Sequence, residues 1–247
     1  MRRGFRIALG VTVVAGVLVG VTRVPGLLSE VDYFRLTDFE LEGERVLTLE
    51  QVLQHMDIPD GASFWDDPAG WSNRIGRHPM VRSVRLSMRL PRTLVISIEE
   101  RVPVAFVATP VLEPVDRDGV VLPLDPVKRR LDLPVLQGVE PNTDELRVLA
   151  AEAARLSGTD PRFTAMLSEL ALDDQGDLLG SLGDETVIFR FRPHLSARRL
   201  REGIAVWADA RERRTDMVAD VIDLRYEDQV VVHYSARAAE EEGKGTR

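Results

Sequence analysis

The spacing of apolar and polar positions divides the chain into three stretches. From Ile7 to Val21 (IALGVTVVAGVLVGV) no residue is charged, so the run has no polar face to offer water and is predicted to target the membrane. A spanning helix needs about 20 residues, and Leu27 and Leu28 lengthen the run sufficiently if the Arg23 side chain snorkels to the interface. No A-x-A cleavage site follows at signal-peptide spacing, so the expectation is an uncleaved signal anchor over 7–28 with a cytoplasmic head at 1–6. Arg2, Arg3 and Arg6 precede the run and Arg23 alone follows it closely. That asymmetry predicts that the head stays in the cytoplasm and that everything from about Glu30 is exported.

In the second stretch, Phe39 and Leu41 alternate with Asp38, Glu40 and Glu42 before Gly43, the pattern of a strand closed by a turn. Thr48 precedes Leu49, Val52, Leu53 and Met56, an i, i+3, i+4, i+7 stripe, with Gln51 at the third position of a capping box, so a short amphipathic helix is expected. A second helix, capped by Asp67 with Pro68 in its first turn, carries Trp71 and Ile75 and ends near His78-Pro79. Val84, Leu86, Met88 and Leu90 then alternate with Arg85, Ser87 and Arg89, Pro91-Arg92 turns the chain, and Leu94, Ile96 and Ile98 alternate in turn. The predicted order over 34–102 is β-α-α-β-β, two layers that bury one face of a small sheet and leave its Arg-rich face in water.

The third stretch, 103–235, reads as a β domain. Val102 to Ala108, Val111 to Asp116 and, after Asp118-Gly119, Val120 to Leu122 suggest a meander. The proline-rich segment 123–142 is expected to be mostly loop, with brief pairing around Leu133, Val135 and Leu136. A helix from Asp144 to Leu156 precedes strands at Leu170 and Leu172, Leu178 to Leu182 and Val187 to Phe191, with Gly176 and Asp184 in the turns. A second helix, Leu195 to Arg211, carries Leu200, Ile204 and Trp207 on its inner stripe. Val221 to Leu224 and Val230 to Val232 form a terminal strand pair around Tyr226 to Gln229. The tail, 236–247, has nothing to bury and is expected to be disordered. The fold class expected is α+β: one membrane helix, the small β-α-α-β-β domain, and a mostly antiparallel β domain with two flanking helices.

Charge narrows the function. The net charge of −8 hides a body at −12, because residues after 23 hold 28 basic against 40 acidic side chains. A body that acidic repels phosphate backbones, so no nucleic-acid partner is expected although Arg198, Arg199, Arg201, Arg211, Arg213 and Arg214 cluster. Glu202, Asp209, Glu212 and Asp216 interleave with them, the pattern of a solvated helix face. The absence of cysteine removes disulfides, thiolate catalysis and Cys-based metal sites. His55, His78, His194 and His233 lack metal-ligand spacing, so no metal is expected. Glu99 and Glu100 are neighbours on a strand and face opposite ways, while Asp116, Asp118, Asp173 and Asp174 suit turns better than an acid–base pair. No phosphate-loop or nucleophile motif occurs. The sequence thus gives no catalytic residue, no cofactor site and no small-molecule substrate.

Two blocks carry a resemblance to a known family. The order of "FELEGERVLTLEQVL" and "HPMVRSVRLSMRLPRTLVISIEERVPVAF" after one membrane anchor resembles the POTRA domain of the bacterial FtsQ/DivIB division proteins, with Pro79, Val81, Pro91, Leu94, Glu100, Arg101, Pro103 and Ala105 on the family's pattern. "VIDLRYEDQVVVHY" is similar to that family's closing motif. The resemblance implies a non-enzymatic, single-pass protein of the cell inner membrane, its C-terminal domains periplasmic, at the division septum. It also implies partners, the division proteins FtsB and FtsL and other divisome components, captured on a β-strand edge to link early and late components and support septal cell-wall synthesis. Carried over by position, Arg225 and Tyr226 match the family's Arg-Tyr, and Glu227, Asp228, Gln229, Val230, Val231 and Val232 form the adjoining contact strand. The alternative is a POTRA-containing export or outer-membrane assembly factor that handles extended polypeptides. Such factors string several POTRA units before a membrane barrel, and this chain has one unit and no barrel-length series of alternating strands.

Overall fold

The first strand, β1 (Asp38–Glu42), ends at Gly43, and only glycine fits there. Its φ is +85° and an added Cβ would lie 2.3 Å from the Ile98 carbonyl oxygen. The computed structural model describes residues 31–183, 187–213 and 217–236. The expected head, the anchor over 7–28, the turn at Asp184 and all of the tail but Ala236 lie outside the described residues. Among the described residues no helix is long and apolar enough to cross a membrane. The chain divides into two units between Arg101 and Val102.

In the first unit, helix α1 (Leu49–Met56) begins with the expected capping box: the Gln51 amide N–H donates to Thr48 Oγ1 at 3.3 Å and the Thr48 N–H to Gln51 Oε1 at 2.9 Å. Val52 and Met56 are fully buried. Leu49 and Leu53, expected on the same stripe, are half-buried at its margins. Helix α2 (Ala69–Ile75) starts one residue after Pro68, and Asp67 accepts from the Ala69 N–H at 2.9 Å. Strands β2 (Val81–Arg89) and β3 (Thr93–Glu100) complete a sheet of order β1-β3-β2, with β1 parallel and β2 antiparallel to β3. Val84, Leu86 and Met88 lie opposite Ile98, Ile96 and Leu94 on one face. Across the other face, Arg89 pairs with Glu40 at 2.9 Å and Arg92 with Asp38 at 3.2 Å. These pairs are exposed and worth about 0–1 kcal/mol each.

Glu100 departs from the surface role of its neighbour. Glu99 is exposed beside Arg82 and Ser83, whereas Glu100 is 7% exposed and accepts the backbone N–H groups of Arg45, Val46 and Leu47 at 2.8–3.1 Å. The turn between β1 and α1 is thereby fastened to the end of β3.

His78 follows α2, and its Nδ1 accepts the Met80 N–H at 3.1 Å, while its ring meets that of His55 edge-on at 4.6 Å. Burial first, and then the neighbouring His55, lower its pKa below 6.5, with Glu100 opposing in part. Folding therefore favours the neutral ring, so stability is full above the unfolded value and falls as pH drops from 6.5 towards the lowered value. Thermal melts stepped through that window should show the loss in the parent, and His78→Asn should flatten it. An unchanged slope in the variant would assign the pH dependence to other groups.

The second unit contains β4 (Pro103–Ala108), β5 (Leu112–Asp116), α3 (Pro126–Arg129), β6 (Val135–Leu136), α4 (Asp144–Thr159), α5 (Pro161–Met166), β7 (Leu167–Leu172), β8 (Leu178–Leu182), β9 (Ile188–Phe191), α6 (Ala197–Arg213), β10 (Met217–Asp223) and β11 (Val231–Ala236). One sheet runs β11-β10-β9-β8-β7-β6-β4-β5. Four of its seven pairings are antiparallel; β4–β6, β6–β7 and β9–β10 are parallel. The parallel steps β6–β7 and β9–β10 are crossovers that carry α4 with α5, and α6. Leu146, Leu149, Ala153 and Leu156 of α4, and Leu200 and Trp207 of α6, join Leu170, Phe189 and Phe191 of the sheet in one core, each large apolar side chain contributing about 1.5–3 kcal/mol.

Four expectations change. Val120 to Leu122 do not form a strand, because only Val121 bridges to Val115. The Pro-rich segment and the approach to β7 hold short helices α3 and α5, each capped by the aspartate before its first proline, Asp125 and Asp160. Ala236 belongs to β11 rather than to the tail. Arg199 does not lie on a solvated helix face, since its side chain is 15% exposed. The turn-forming role of Asp116 and Asp173 is as expected: each carboxylate accepts two backbone N–H groups of its own turn.

Candidate partner-binding edge

Strand β11 is the outermost strand of the eight, with β10 on one side and no strand on the other among the described residues. Its register sets Val231 opposite Asp223, Val232 opposite Ile222 and His233 opposite Val221. Of the contact strand expected over Glu227 to Val232, only Val231 and Val232 lie in β11, which continues to Ala236, so that His233, Tyr234 and Ser235 extend the edge. Val230, Val232 and Tyr234 pack against the core, which gives the edge an apolar backing. Tyr226, Glu227, Asp228 and Gln229 are exposed in the loop before it, Tyr226 at 46%.

Two arginines hold that loop. Arg225 grips the Asp223 carboxylate, Nε to Oδ1 at 2.9 Å and Nη2 to Oδ2 at 2.6 Å, and donates from Nη1 to Asp177 at 3.0 Å. Arg190 approaches Asp177 at 3.3 Å and also pairs with Asp173. Burial pushes the Asp223 carboxyl up most strongly, but the hydrogen bonds and charge of Arg225, with the charge of Arg190, outweigh it and hold the pKa below its ordinary value. The same partners, Asp223 first, raise the pKa of Arg225. Its guanidinium is thus turned inward and positions the loop.

The second clamp comes from α6. Arg199 Nη2 donates to the Tyr226 carbonyl at 2.6 Å and to the Gln229 carbonyl at 2.9 Å, while Nη1 binds Glu202 at 2.6 Å. Beside it opens a cleft of about 680 Å³ lined by Arg198, Arg199, Glu202, Val206 and residues Glu227 to Val230. Arg199 was hidden in the sequence among five like-charged neighbours, and its place next to Leu200 on the inner stripe does not separate it, because Arg201 is as near.

Chemically, this arrangement offers backbone N–H and C=O groups on a free edge and a rigid polar rim, the requirements for adding an extended strand. Among the described residues no group of three or more His, Asp or Glu converges to hold a metal.

Comparison with known proteins agrees with both units. A family model described as POTRA domain, FtsQ-type, matches residues 34–101, and one described as Cell division protein FtsQ/DivIB, C-terminal, matches residues 105–225. A cell division protein FtsQ from Rhodothermus marinus is 30% identical over 217 residues, which cover 82% of this chain and 78% of the relative. The chain belongs to the FtsQ/DivIB family of cell division proteins. An FtsQ from Syntrophotalea carbinolica is 32% identical over 181 residues, covering 70% of this chain and 62% of that protein, and one from Corynebacterium glutamicum is 24% identical over 184 residues. The FtsQ/DivIB C-terminal match stops at Arg225, so the exposed loop and β11 lie beyond it.

Proposed function

We propose that this FtsQ/DivIB member is a non-catalytic division scaffold that captures FtsB, together with FtsL, on the free edge of β11, and so links early and late divisome components in support of septal cell-wall synthesis. Residues 7–28 anchor it in the inner membrane, with the head cytoplasmic and both units periplasmic at the septum. The observation that carries the reading is the open outer position of β11, with its loop held by Arg199 and Arg225. Such an edge supplies affinity through backbone hydrogen bonds, while Tyr226 and the half-buried valines supply side-chain selectivity. The export-factor alternative is weaker because the second unit matches the FtsQ/DivIB C-terminal model.

Depletion of the protein from growing cells tests it. Filaments without septa are expected. Normal division accompanied by outer-membrane defects would favour the export factor and overturn the scaffold.

A further inference from the structure

The first unit carries an aromatic patch at its entry that its core does not use. Tyr33 is 67% exposed, Val31 44% and Trp65 37%. The rings of Tyr33, Phe34, Trp65 and Phe64 meet edge-on in a chain, with centroids 5.2, 5.6 and 5.3 Å apart. The patch is rigidly built. Leu36 N–H donates to the Ala62 carbonyl at 2.8 Å, Phe64 N–H to the Phe34 carbonyl at 2.9 Å, and the buried Ser63 hydroxyl to the same Phe34 carbonyl at 3.3 Å. Two distant segments are thereby fastened so that their rings share one surface.

The chain outside the described residues says what covers that surface. Tyr33 follows Leu28, where the hydrophobic run over 7–28 ends, by five positions. Even a fully extended chain covers at most about 3.6 Å per residue, so Tyr33 stays within roughly 18 Å of the end of that run. Where the run spans a bilayer, the headgroup layer beyond it is about 5–8 Å thick on each side, and the patch is tethered at its surface. Tyr and Trp favour that layer because their rings are apolar while the phenol O–H and indole N–H need water. Charge selects the lipid. Within the two segments Asp32, Asp66 and Asp67 stand against Arg35, which already pairs with Asp32 at 2.8 Å, while Asp66 accepts the Ser63 N–H at 2.8 Å. Anionic headgroups would be repelled, whereas the ammonium of phosphatidylethanolamine meets carboxylates.

We infer that this patch is a lipid foot, seating the first unit in the headgroup layer of a zwitterionic bilayer; the inference rests on the anchor reading under Proposed function.

The test uses the full chain in phosphatidylethanolamine–phosphatidylcholine vesicles, with and without bromine on the acyl chains near the headgroup. Trp71 and Trp207 are 5% and 9% exposed, so Trp65 is the tryptophan open to lipid quenching. The expected result is a loss of tryptophan emission in brominated vesicles that disappears in Trp65→Phe and shrinks in Tyr33→Asp, a change at an exposed position that spares the fold. Flotation of the chain with vesicles after an alkaline wash is read in parallel. A chain that floats while Trp65 stays unquenched overturns the lipid foot and leaves the anchor standing, including the case where a second copy or another protein covers the patch. A chain that does not float removes the anchor, and the foot falls with it.

Discussion

Proline introduced in turn at Val231, Val232 and His233 is expected to weaken the proposed capture of FtsB at alternate positions with the fold intact. In an antiparallel edge, successive N–H groups point alternately to the neighbouring strand and to the open side. Where the N–H faces outward, proline removes a donor that only the partner uses, and complex formation should weaken by at least about 2 kcal/mol, roughly 30-fold, with the unit still folded. Where the N–H faces β10, proline breaks the native ladder, and the melting temperature should fall. Pull-down with a peptide of the partner, alongside circular dichroism of each variant, separates the two classes. Full binding by all three folded variants would move the interface away from β11. Tyr226→Glu complements the series, because it places a charge on the exposed rim without touching the ladder.

The largest stability effect is expected in the first unit, at Glu100. Its carboxylate is the acceptor for three backbone N–H groups of the turn from Arg45 to Leu47. Alanine orphans the buried Leu47 N–H, at about 1–3 kcal/mol, and leaves those of Arg45 and Val46 only partly open to water, so Glu100→Ala should lose roughly 2–4 kcal/mol. That is a large share of the total stability of about 5–15 kcal/mol typical of a domain. Glu100→Gln keeps one acceptor oxygen and should recover part of the loss. Guanidinium unfolding of the three proteins measures this directly, and an unchanged midpoint for Glu100→Ala would mean that water satisfies the turn instead.

Glu100 also marks the boundary of what local pattern reveals. Its strand was legible from the alternation around Leu94, Ile96 and Ile98, and the position beside Glu99 correctly implied opposite faces. Its partners lie more than fifty residues away, and no periodicity encodes a contact at that separation. The capping box at Thr48 and Gln51 was readable because both members sit within one turn. The same local logic applies to two short helices. Asp125-Pro126 and Asp160-Pro161 repeat the Asp-Pro arrangement seen at Asp67-Pro68, and each opens a helix too short to show an apolar stripe. Val120 to Leu122 erred the other way, since β-branched composition favours extension but only Val121 finds a bridge partner. At the candidate edge, the strand pair and its exposed loop were legible from two apolar runs around a polar turn. The inward turn of Arg225 and the grip of Arg199 were not, because they depend on where α6 and the turn after β7 deliver Glu202, Asp177 and Asp173.

The parallel pairing of β1 with β3 has a mechanical consequence. The chain enters the first sheet at Asp38, beside Thr93, and leaves it at the far end of β3, at Glu100. Tension applied between the two ends of this unit therefore pulls β1 and β3 lengthwise in opposite directions. The five paired positions from Asp38 to Glu42 are loaded together in shear, and no hydrogen bond is peeled before its neighbour. A unit threaded in this way passes force along its length as a tie rod would, so that a pull on one end reaches the other before the sheet opens.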